Sequence, residues 1–206
     1  LPAEGRRGGV AFSLNGKGYV GTGTTDSRAL KDMYSYDPVS GTWKDVGFAG
    51  DARHGAVAFI LDNKAVVCLG AGFSTSTGTS LTYRYDVNVF DPATETWTAK
   101  HPVRDLDGVG FDNHYNKIPR TYAIAFTSSM DGDVEKGYVA TGSVNGDQKT
   151  CWEYNIHTDR WEEVTKLPNA MTTRSYAVGF SYKGLGYVTT GGSGLTSAID
   201  PDTWKF

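Results

Sequence analysis

The stretch Lys-Gly-Tyr-Val-Ala-Thr-Gly at residues 136–142 recurs in varied form three more times along this chain of 206 residues. The other copies occupy residues 17–23, 64–70 and 185–191. Self-similarity at a period of about 50 residues is typical of proteins built from repeated blades or coils. The repeat therefore predicts a fold in which one supersecondary unit is used four times.

Two further landmarks accompany each copy. An arginine opens a hydrophobic run upstream, and a phenylalanine follows it six residues later in all four copies. These arginines are Arg6, Arg53, Arg120 and Arg174. Downstream, an Asp or Asn precedes a tryptophan by six residues in the first three copies and by four in the last. We therefore assign four of the five tryptophans to one repeat position: Trp43, Trp97, Trp161 and Trp204.

Each copy is predicted to contain four short antiparallel strands. Small and β-branched residues suit a first strand near a crowded axis, and a turn such as Asn15-Gly16 supplies the positive φ of a tight hairpin. The Tyr-Val stretch forms the second strand, and an Asp-Pro turn separates the third from an outer tryptophan strand. We expect each tryptophan to be buried against the next blade. Only eight residues separate Gly191 from Asp200, so the last copy should have a short third strand.

These landmarks together resemble the kelch-repeat β-propeller family over essentially the whole chain. The resemblance implies an all-β, kelch-type propeller of four-stranded antiparallel blades, either a single domain or a fragment of one. Its repeats span about 6–52, 53–119, 120–173 and 174–206. Because kelch propellers form larger rings, we expect the chain to be part of one; a closed four-bladed ring is the alternative. Open blade faces of an incomplete ring would favour self-association.

Composition excludes several partners. The formal net charge of −3 and the absence of a basic stripe argue against nucleic acid as a partner, and no long apolar run predicts a membrane-spanning segment.

Cys68 and Cys151 fall in different repeats and are expected to be buried rather than joined in a disulfide. The chain opens at Leu1 without a signal peptide, as a trimmed chain would. We expect an exported protein, periplasmic or at the cell surface, rather than a cytoplasmic one.

The candidate ligand surface follows from chain direction. In an antiparallel blade, the connection between strands two and three and the connection to the next blade emerge at one end, where the repeated arginines also lie. The second copy has long insertions in both connections, at 72–85 and 101–119, and long loops on a rigid scaffold are where binding groups collect. The predicted ligand-binding residues are Arg6, Arg53, Arg120, Arg174, Tyr83, Arg84, Tyr85, Phe111, His114 and Tyr115.

Guanidinium groups suit carboxylates and phosphates, and flat aromatic rings suit sugars. Each candidate also has a plain structural interpretation. The repeated arginines could brace the fold by donating to carbonyls of the neighbouring blade, Tyr83 and Tyr85 could be packing residues, and His114 could be a solvated surface residue. Exposed arginines beside a concave pocket would favour binding or catalysis, whereas arginines bonded to backbone carbonyls would favour a scaffold.

Three functions are compatible with this pattern. The first is a non-catalytic binding module that presents one loop-decorated face to a protein or carbohydrate, with no cofactor and no metal. The second is an enzyme resembling the kelch-type sugar-acid mutarotases or epimerases (sialate-like), in which the arginines would hold a carboxylate and Asp107 or Asp112 would act as acid and base. A kelch-type copper oxidase is disfavoured, because both cysteines lie within strands and His157 maps to the opposite face. The third is a purely structural scaffold section.

Overall fold

The computed structural model describes residues 1–73, 80–103, 118–129, 134–164, 167–168, 170–193 and 198–206. These residues form β-strands joined by turns, and no helix occurs among them. The chain divides into two compact units, Leu1–Pro102 and Val103–Phe206. Each unit contains two sheets of three or four strands, which we number as blades 1 to 4 along the chain, and one two-stranded ribbon.

Unit one contains two four-stranded antiparallel sheets. Blade 1 has the order β1-β2-β3-β4, with β1 (Val10–Leu14), β2 (Lys17–Gly21), β3 (Met33–Asp37) and β4 (Thr42–Asp45). Blade 2 consists of β5 (Val57–Leu61), β6 (Lys64–Cys68), β9 (Val87–Asp91) and β10 (Thr96–Lys100), paired in chain order. Between β6 and β9 the chain forms a two-stranded ribbon, β7 (Ala71–Phe73) with β8 (Leu81–Tyr83).

Unit two repeats the pattern with one difference. Blade 3 has the order β11 (Ile124–Ser128), β12 (Lys136–Ala140), β13 (Cys151–Asn155) and β14 (Arg160–Val164). Blade 4 has three strands, β15 (Val178–Tyr182), β16 (Leu185–Thr189) and β19 (Thr203–Lys205), with a short ribbon of β17 (Gly192–Ser193) and β18 (Ala198–Ile199). The predicted all-β fold of antiparallel propeller blades is confirmed.

The hairpin and Asp-Pro turns form for the reasons expected from the sequence. Asn15 and Gly16 connect β1 to β2 with φ of 49° and 74°, the positive values that a tight hairpin turn requires. At the β3–β4 turn, the Asp37 carboxylate accepts the backbone N–H groups of Val39 (2.8 Å) and Ser40 (3.2 Å), which lowers its pKa. Asn155 accepts two backbone N–H groups in the same way, so an amide replaces the acid in blade 3 without loss of the turn.

The blades within each unit pack face to face. In unit one the buried core joins Val10, Leu14, Tyr19 and Met33 of blade 1 to Ala65, Val67 and Phe90 of blade 2. In unit two, Ile124 and Phe126 of blade 3 join Val188 of blade 4 in the core. In the first two strands of blades 1, 3 and 4, the alternation of strand residues gives one large-residue face and one small-residue face. In blade 3, for example, Ile124, Phe126 and Tyr138 lie on the large-residue face, and Ala125 and Gly137 lie on the small-residue face.

The placement of Trp204 was predicted wrongly. Trp43, Trp97 and Trp161 pair with Tyr36, Phe90 and Tyr154 across the third and fourth strands. Trp204 instead pairs with Val188 of the second strand, just as Trp152 pairs with Val139 in blade 3. The residues after Gly191 form the β17–β18 ribbon, so the chain enters the sheet only at Thr203, as its third strand. Three tryptophans share the outer position and two share the inner one.

The expected burial of the outer tryptophans holds in one case. Trp161 is buried, whereas Trp43 and Trp97 are half-buried. The indole N–H of Trp97 donates to the Gly47 carbonyl at 3.0 Å, and its ring lies edge-on to Phe48 at 5.0 Å between centroids. Trp97 therefore contacts the connector that leads into its own blade rather than a following blade.

Both cysteines are buried and carry free thiols, as expected. Burial raises the pKa of the Cys151 thiol to about 12 and also raises that of Cys68, so neither is a thiolate at neutral pH. Over the described ranges, no helix is long and apolar enough to cross a membrane.

Candidate functional site

The repeated arginine plays the same part in all four blades. Its Nη1 donates to the backbone carbonyl of the residue that follows strand two of its own repeat, at 2.9–3.1 Å. The donor and acceptor pairs are Arg6 with Thr22, Arg53 with Leu69, Arg120 with Thr141, and Arg174 with Thr190. We call the end of the blade where these bonds lie the arginine end.

The accepting residue has an uncommon backbone conformation. Thr22, Leu69, Thr141 and Thr190 have φ between 54° and 62°, and the glycine after each has φ between 83° and 94°. Two consecutive left-handed residues turn the chain out of strand two, and a non-glycine residue there is strained. At Gly70 a Cβ would lie 2.6 Å from the His54 carbonyl oxygen. The glycine of the recurring stretch is therefore required both by φ and by close approach, and the arginine holds the strained carbonyl in place.

A carboxylate completes the brace in three blades. Arg6 binds Asp32 through both nitrogens at 2.5 and 2.8 Å, Arg174 binds Asp202 at 2.5 and 3.2 Å, and Arg53 binds Asp86. Each acid immediately precedes the third strand. In blade 3 this position is Thr150, whose Oγ1 accepts from Arg120 Nη2 at 2.7 Å. The sequence did not reveal this position, because Trp204 was assigned to the fourth strand instead of the third, which hid the equivalence of Asp202 with Asp32 and Asp86.

The arginines are buried at these bonds. The Arg53 and Arg174 side chains are 0% exposed and that of Arg6 is 7% exposed, and Arg120 is likewise buried. Desolvation lowers the pKa of Arg53 and takes that of Arg120 to about 10, so Arg120 stays protonated at neutral pH. The hydrogen bond to Asp32 raises the pKa of Arg6. The described contacts of the arginines are those of a structural brace, directed to their own repeat and to the connector that leads into it.

The link between neighbouring blades is made by backbone instead. The Gly23 N–H donates to the Arg53 carbonyl at 2.7 Å, and the Gly142 N–H donates to the Arg174 carbonyl at 2.8 Å. Each arginine thus fixes the turn of its own repeat with its side chain. The backbone carbonyls of Arg53 and Arg174 also accept a hydrogen bond from the preceding blade of the same unit.

The second repeat carries the side chains that face solvent at its arginine end. Tyr83 ends β8 and is half-buried, and Tyr85 is 40% exposed. Between them, the Arg84 Nε donates to the Ala52 carbonyl at 3.1 Å, and its Nη1 lies 3.6 Å from the exposed Asp51 carboxylate. The guanidinium fits because position 72 is glycine: a Cβ there would lie 2.1 Å from Arg84 Nη2.

His54 lies beneath the same ribbon. It is buried, and its ring stacks on Phe73 at 5.1 Å between centroids. Desolvation lowers its pKa, so His54 is neutral at neutral pH. The stacked pair supports the base of the β7–β8 ribbon from inside the blade.

Of the ten predicted ligand-binding residues, the structure brings Tyr83, Arg84 and Tyr85 together on one ribbon and places the four repeated arginines in braces. Phe111, His114 and Tyr115 lie outside the described residues, as do Asp107 and Asp112. In the described part of the chain, no group of three or more His, Cys, Asp or Glu side chains is arranged to hold a metal ion.

Comparison with known proteins gives a likeness of fold. No protein-family model matches the chain, and no curated protein matches it. Among solved structures, the chain is similar to YjhT, with a TM-score of 0.65 and 12% sequence identity over 100% of this chain and 82% of that one. At this identity the likeness concerns the fold, and it supports the assignment of the sheets as propeller blades.

Proposed function

We propose that this protein is a non-catalytic binding module of the kelch type, whose ligand surface lies at the arginine end of blade 2. The observation that carries the proposal is the platform formed by Tyr83, Arg84 and Tyr85 on a ribbon that the Arg53 brace anchors. The arginines enter the proposal as supports of the surface; direct ligand contact by Arg6, Arg53, Arg120 or Arg174 stays a prediction.

The platform is rigid where it meets the blade. Ala71 pairs with Tyr83 in the ribbon, and the Arg84 N–H donates to the Gly70 carbonyl at 2.9 Å. That carbonyl belongs to the left-handed turn beside the Arg53 bond. A ligand that binds the tyrosines therefore meets groups already fixed in place, which reduces the entropy cost of binding.

The chemistry of the platform favours a carbohydrate over a protein. Tyr83 and Tyr85 supply aromatic rings, and the neighbouring Asp51 and Arg84 supply a charged acceptor and a charged donor. Rings for apolar sugar faces, beside polar groups for hydroxyls, are what a glycan needs. A protein partner would need a wide apolar patch. Beside the tyrosines, the ribbon offers only the partly exposed Leu81 among its described residues.

A glycan array containing neutral and acidic sugars tests the proposal. We expect wild-type protein to bind a subset of the array. Tyr85→Ala and Tyr83→Ala should each weaken binding by about fivefold, since one aromatic contact contributes about 1 kcal/mol. Val39→Ala is the matched control, because Val39 is a 96% exposed apolar residue at the β3–β4 turn, away from the arginine end. Absence of any wild-type signal, or full binding by Tyr85→Ala, would overturn the proposal.

The sugar-acid mutarotase alternative needs guanidinium groups open to a substrate carboxylate. Arg53 and Arg174 have fully buried side chains that already bind Asp86 and Asp202. These contacts argue against the mutarotase. Buried arginines bonded to backbone carbonyls are the outcome expected of a scaffold, so the binding proposal rests on the Tyr83, Arg84 and Tyr85 platform and not on the repeated arginines.

A further inference from the structure

Blade 4 exposes a face that is buried in the other blades. On β15, Val178, Phe180 and Tyr182 are 55%, 45% and 57% exposed. The corresponding residues of β11 in blade 3 are Ile124, Phe126 and Ser128, which are 3%, 4% and 2% exposed. Phe180 stacks on Tyr187 at 5.0 Å, as Phe126 stacks on Tyr138 at 5.3 Å. The large-residue face of blade 4 is thus built like its buried counterpart and left open to solvent.

The structure shows what such a face binds. In unit two, the large-residue face of blade 3 receives the small-residue face of blade 4. A Cβ on Gly186 would lie 2.1 Å from a ring carbon of Phe126, and one on Gly179 would lie 2.8 Å from Ile124. The Ser181 hydroxyl accepts the Thr127 N–H at 2.8 Å across the same interface. In unit two, the partner of the large-residue face is therefore a strand pair that has glycine at the aromatic ring and a serine beside it.

Blade 1 presents a matching small-residue face. Its residues Ala11, Ser13, Gly18 and Val20 occupy the strand positions of Gly179, Ser181, Gly186 and Val188. Ala11 and Ser13 are exposed, and Gly18 and Val20 are half-buried, whereas Gly186 and Val188 are buried. A Cβ on Gly18 would meet nothing within 4 Å. The site that would accept an aromatic ring is therefore open in blade 1.

We propose that the large-residue face of blade 4 docks on the small-residue face of blade 1 in a second copy of this chain. The contact is head-to-tail, so it closes as a ring of copies or continues as an open chain. Its driving force is burial of the exposed Val178, Phe180 and Tyr182 side chains, which form an apolar patch larger than single scattered residues. By analogy with blades 3 and 4, Phe180 would cover Gly18 and Ser181 would lie beside Ser13 of the second copy.

Sedimentation equilibrium of the full chain provides the first test. We expect a mass of at least twice the 22.3 kDa of one copy, falling on dilution. Gly18→Val should abolish the association while leaving the near-UV circular dichroism unchanged, because the added atoms enter open space within one copy but collide with Phe180 of another. Gly5→Val is the control, since a Cβ on Gly5 also meets nothing within 4 Å. Phe180→Asp should act like Gly18→Val from the opposite face.

Disulfide trapping fixes the orientation of the contact. Thr127 Oγ1 and Ser181 Oγ are 3.3 Å apart between blades 3 and 4, so the equivalent pair is Ser181 and Ser13 of the second copy. A mixture of Ser181→Cys with Ser13→Cys should yield a covalent pair under mild oxidation, whereas Ser181→Cys with Ser40→Cys should not. A wild-type chain that is monomeric at every concentration, or association that survives Gly18→Val, would overturn the proposal.

Discussion

The Arg53 brace is expected to be worth several kcal/mol to the unfolding free energy, and Arg53→Met tests this directly. Methionine keeps much of the apolar stem and removes every donor. Arg53 donates to the Asp51 carbonyl at 2.9 Å, to the Leu69 carbonyl at 3.1 Å and to Asp86. The substitution therefore leaves three acceptors without this partner.

The expected magnitude follows from the burial of these acceptors. A buried acceptor left unsatisfied costs about 1–3 kcal/mol, and the bond to Leu69 is the most buried of the three. The Asp86 carboxylate is 34% exposed and keeps the Asn88 amide as a donor at 2.7 Å, so its loss adds less. Together we expect Arg53→Met to lower the unfolding free energy by about 3–4 kcal/mol.

Urea-induced unfolding followed by circular dichroism measures the loss. Arg7→Met is the control, because Arg7 directly follows Arg6, the counterpart of Arg53 in the first repeat, but is 70% exposed, and its partner Asp26 is 94% exposed. We expect no measurable change in the control. If Arg53→Met and Arg7→Met were equally stable, the repeated arginine would not be a brace, and its presence in all four repeats would need a ligand to explain it.

Two further predictions follow from burial. Trp161→Ala should lower the unfolding free energy by roughly 3–5 kcal/mol, because Trp161 is buried and its ring lies 4.9 Å from that of Tyr154. Trp43→Ala should lower it by clearly less, because Trp43 is half-buried. Thermal denaturation should rank the two variants in that order, and equal losses of stability would contradict the difference in burial. His54 has a pKa below its ordinary value because of desolvation, so folding favours its neutral form; stability should be full above the unfolded-state pKa of about 6.5 and decline as the pH falls below it. His54→Asn should flatten the pH dependence of the unfolding free energy between pH 7 and about 5, and an unchanged slope would show that another group causes it.

The strands and turns were largely predictable from the sequence because their causes are local. Asn15-Gly16 adopts the positive φ pair of a hairpin, and Asp37 caps its turn through neighbouring backbone N–H groups. The shortened fourth copy was recognised, but its tryptophan was assigned to the wrong strand. The spacing of four residues between Asp200 and Trp204 was equated with the spacing of six in the other repeats. Only the pairing of Trp204 with Val188 shows that Trp204 lies in the third strand.

The candidate site was predictable in part. Chain direction correctly placed the arginines and the β7–β8 ribbon at one end of blade 2, where His54 and Ala71 form a backbone bridge. The carboxylate partners were not predicted. Asp32 and Asp86 lie 26 and 33 residues from their arginines, and the insertion in the second copy hides the shared position.

The order of residues alone determines that this chain builds four similar antiparallel sheets, because hairpin φ values, strand alternation and turn caps depend on side chains within a few residues of one another. The tertiary structure decides which polar groups are available, because burial and pairing depend on surfaces brought together from distant parts of the chain. It buries the repeated arginines at left-handed turns and leaves Tyr85 at the surface. It also exposes on blade 4 the large-residue face whose counterpart on blade 3 is buried. The same strand pattern is therefore core in one blade and open surface in another, according to what packs against it.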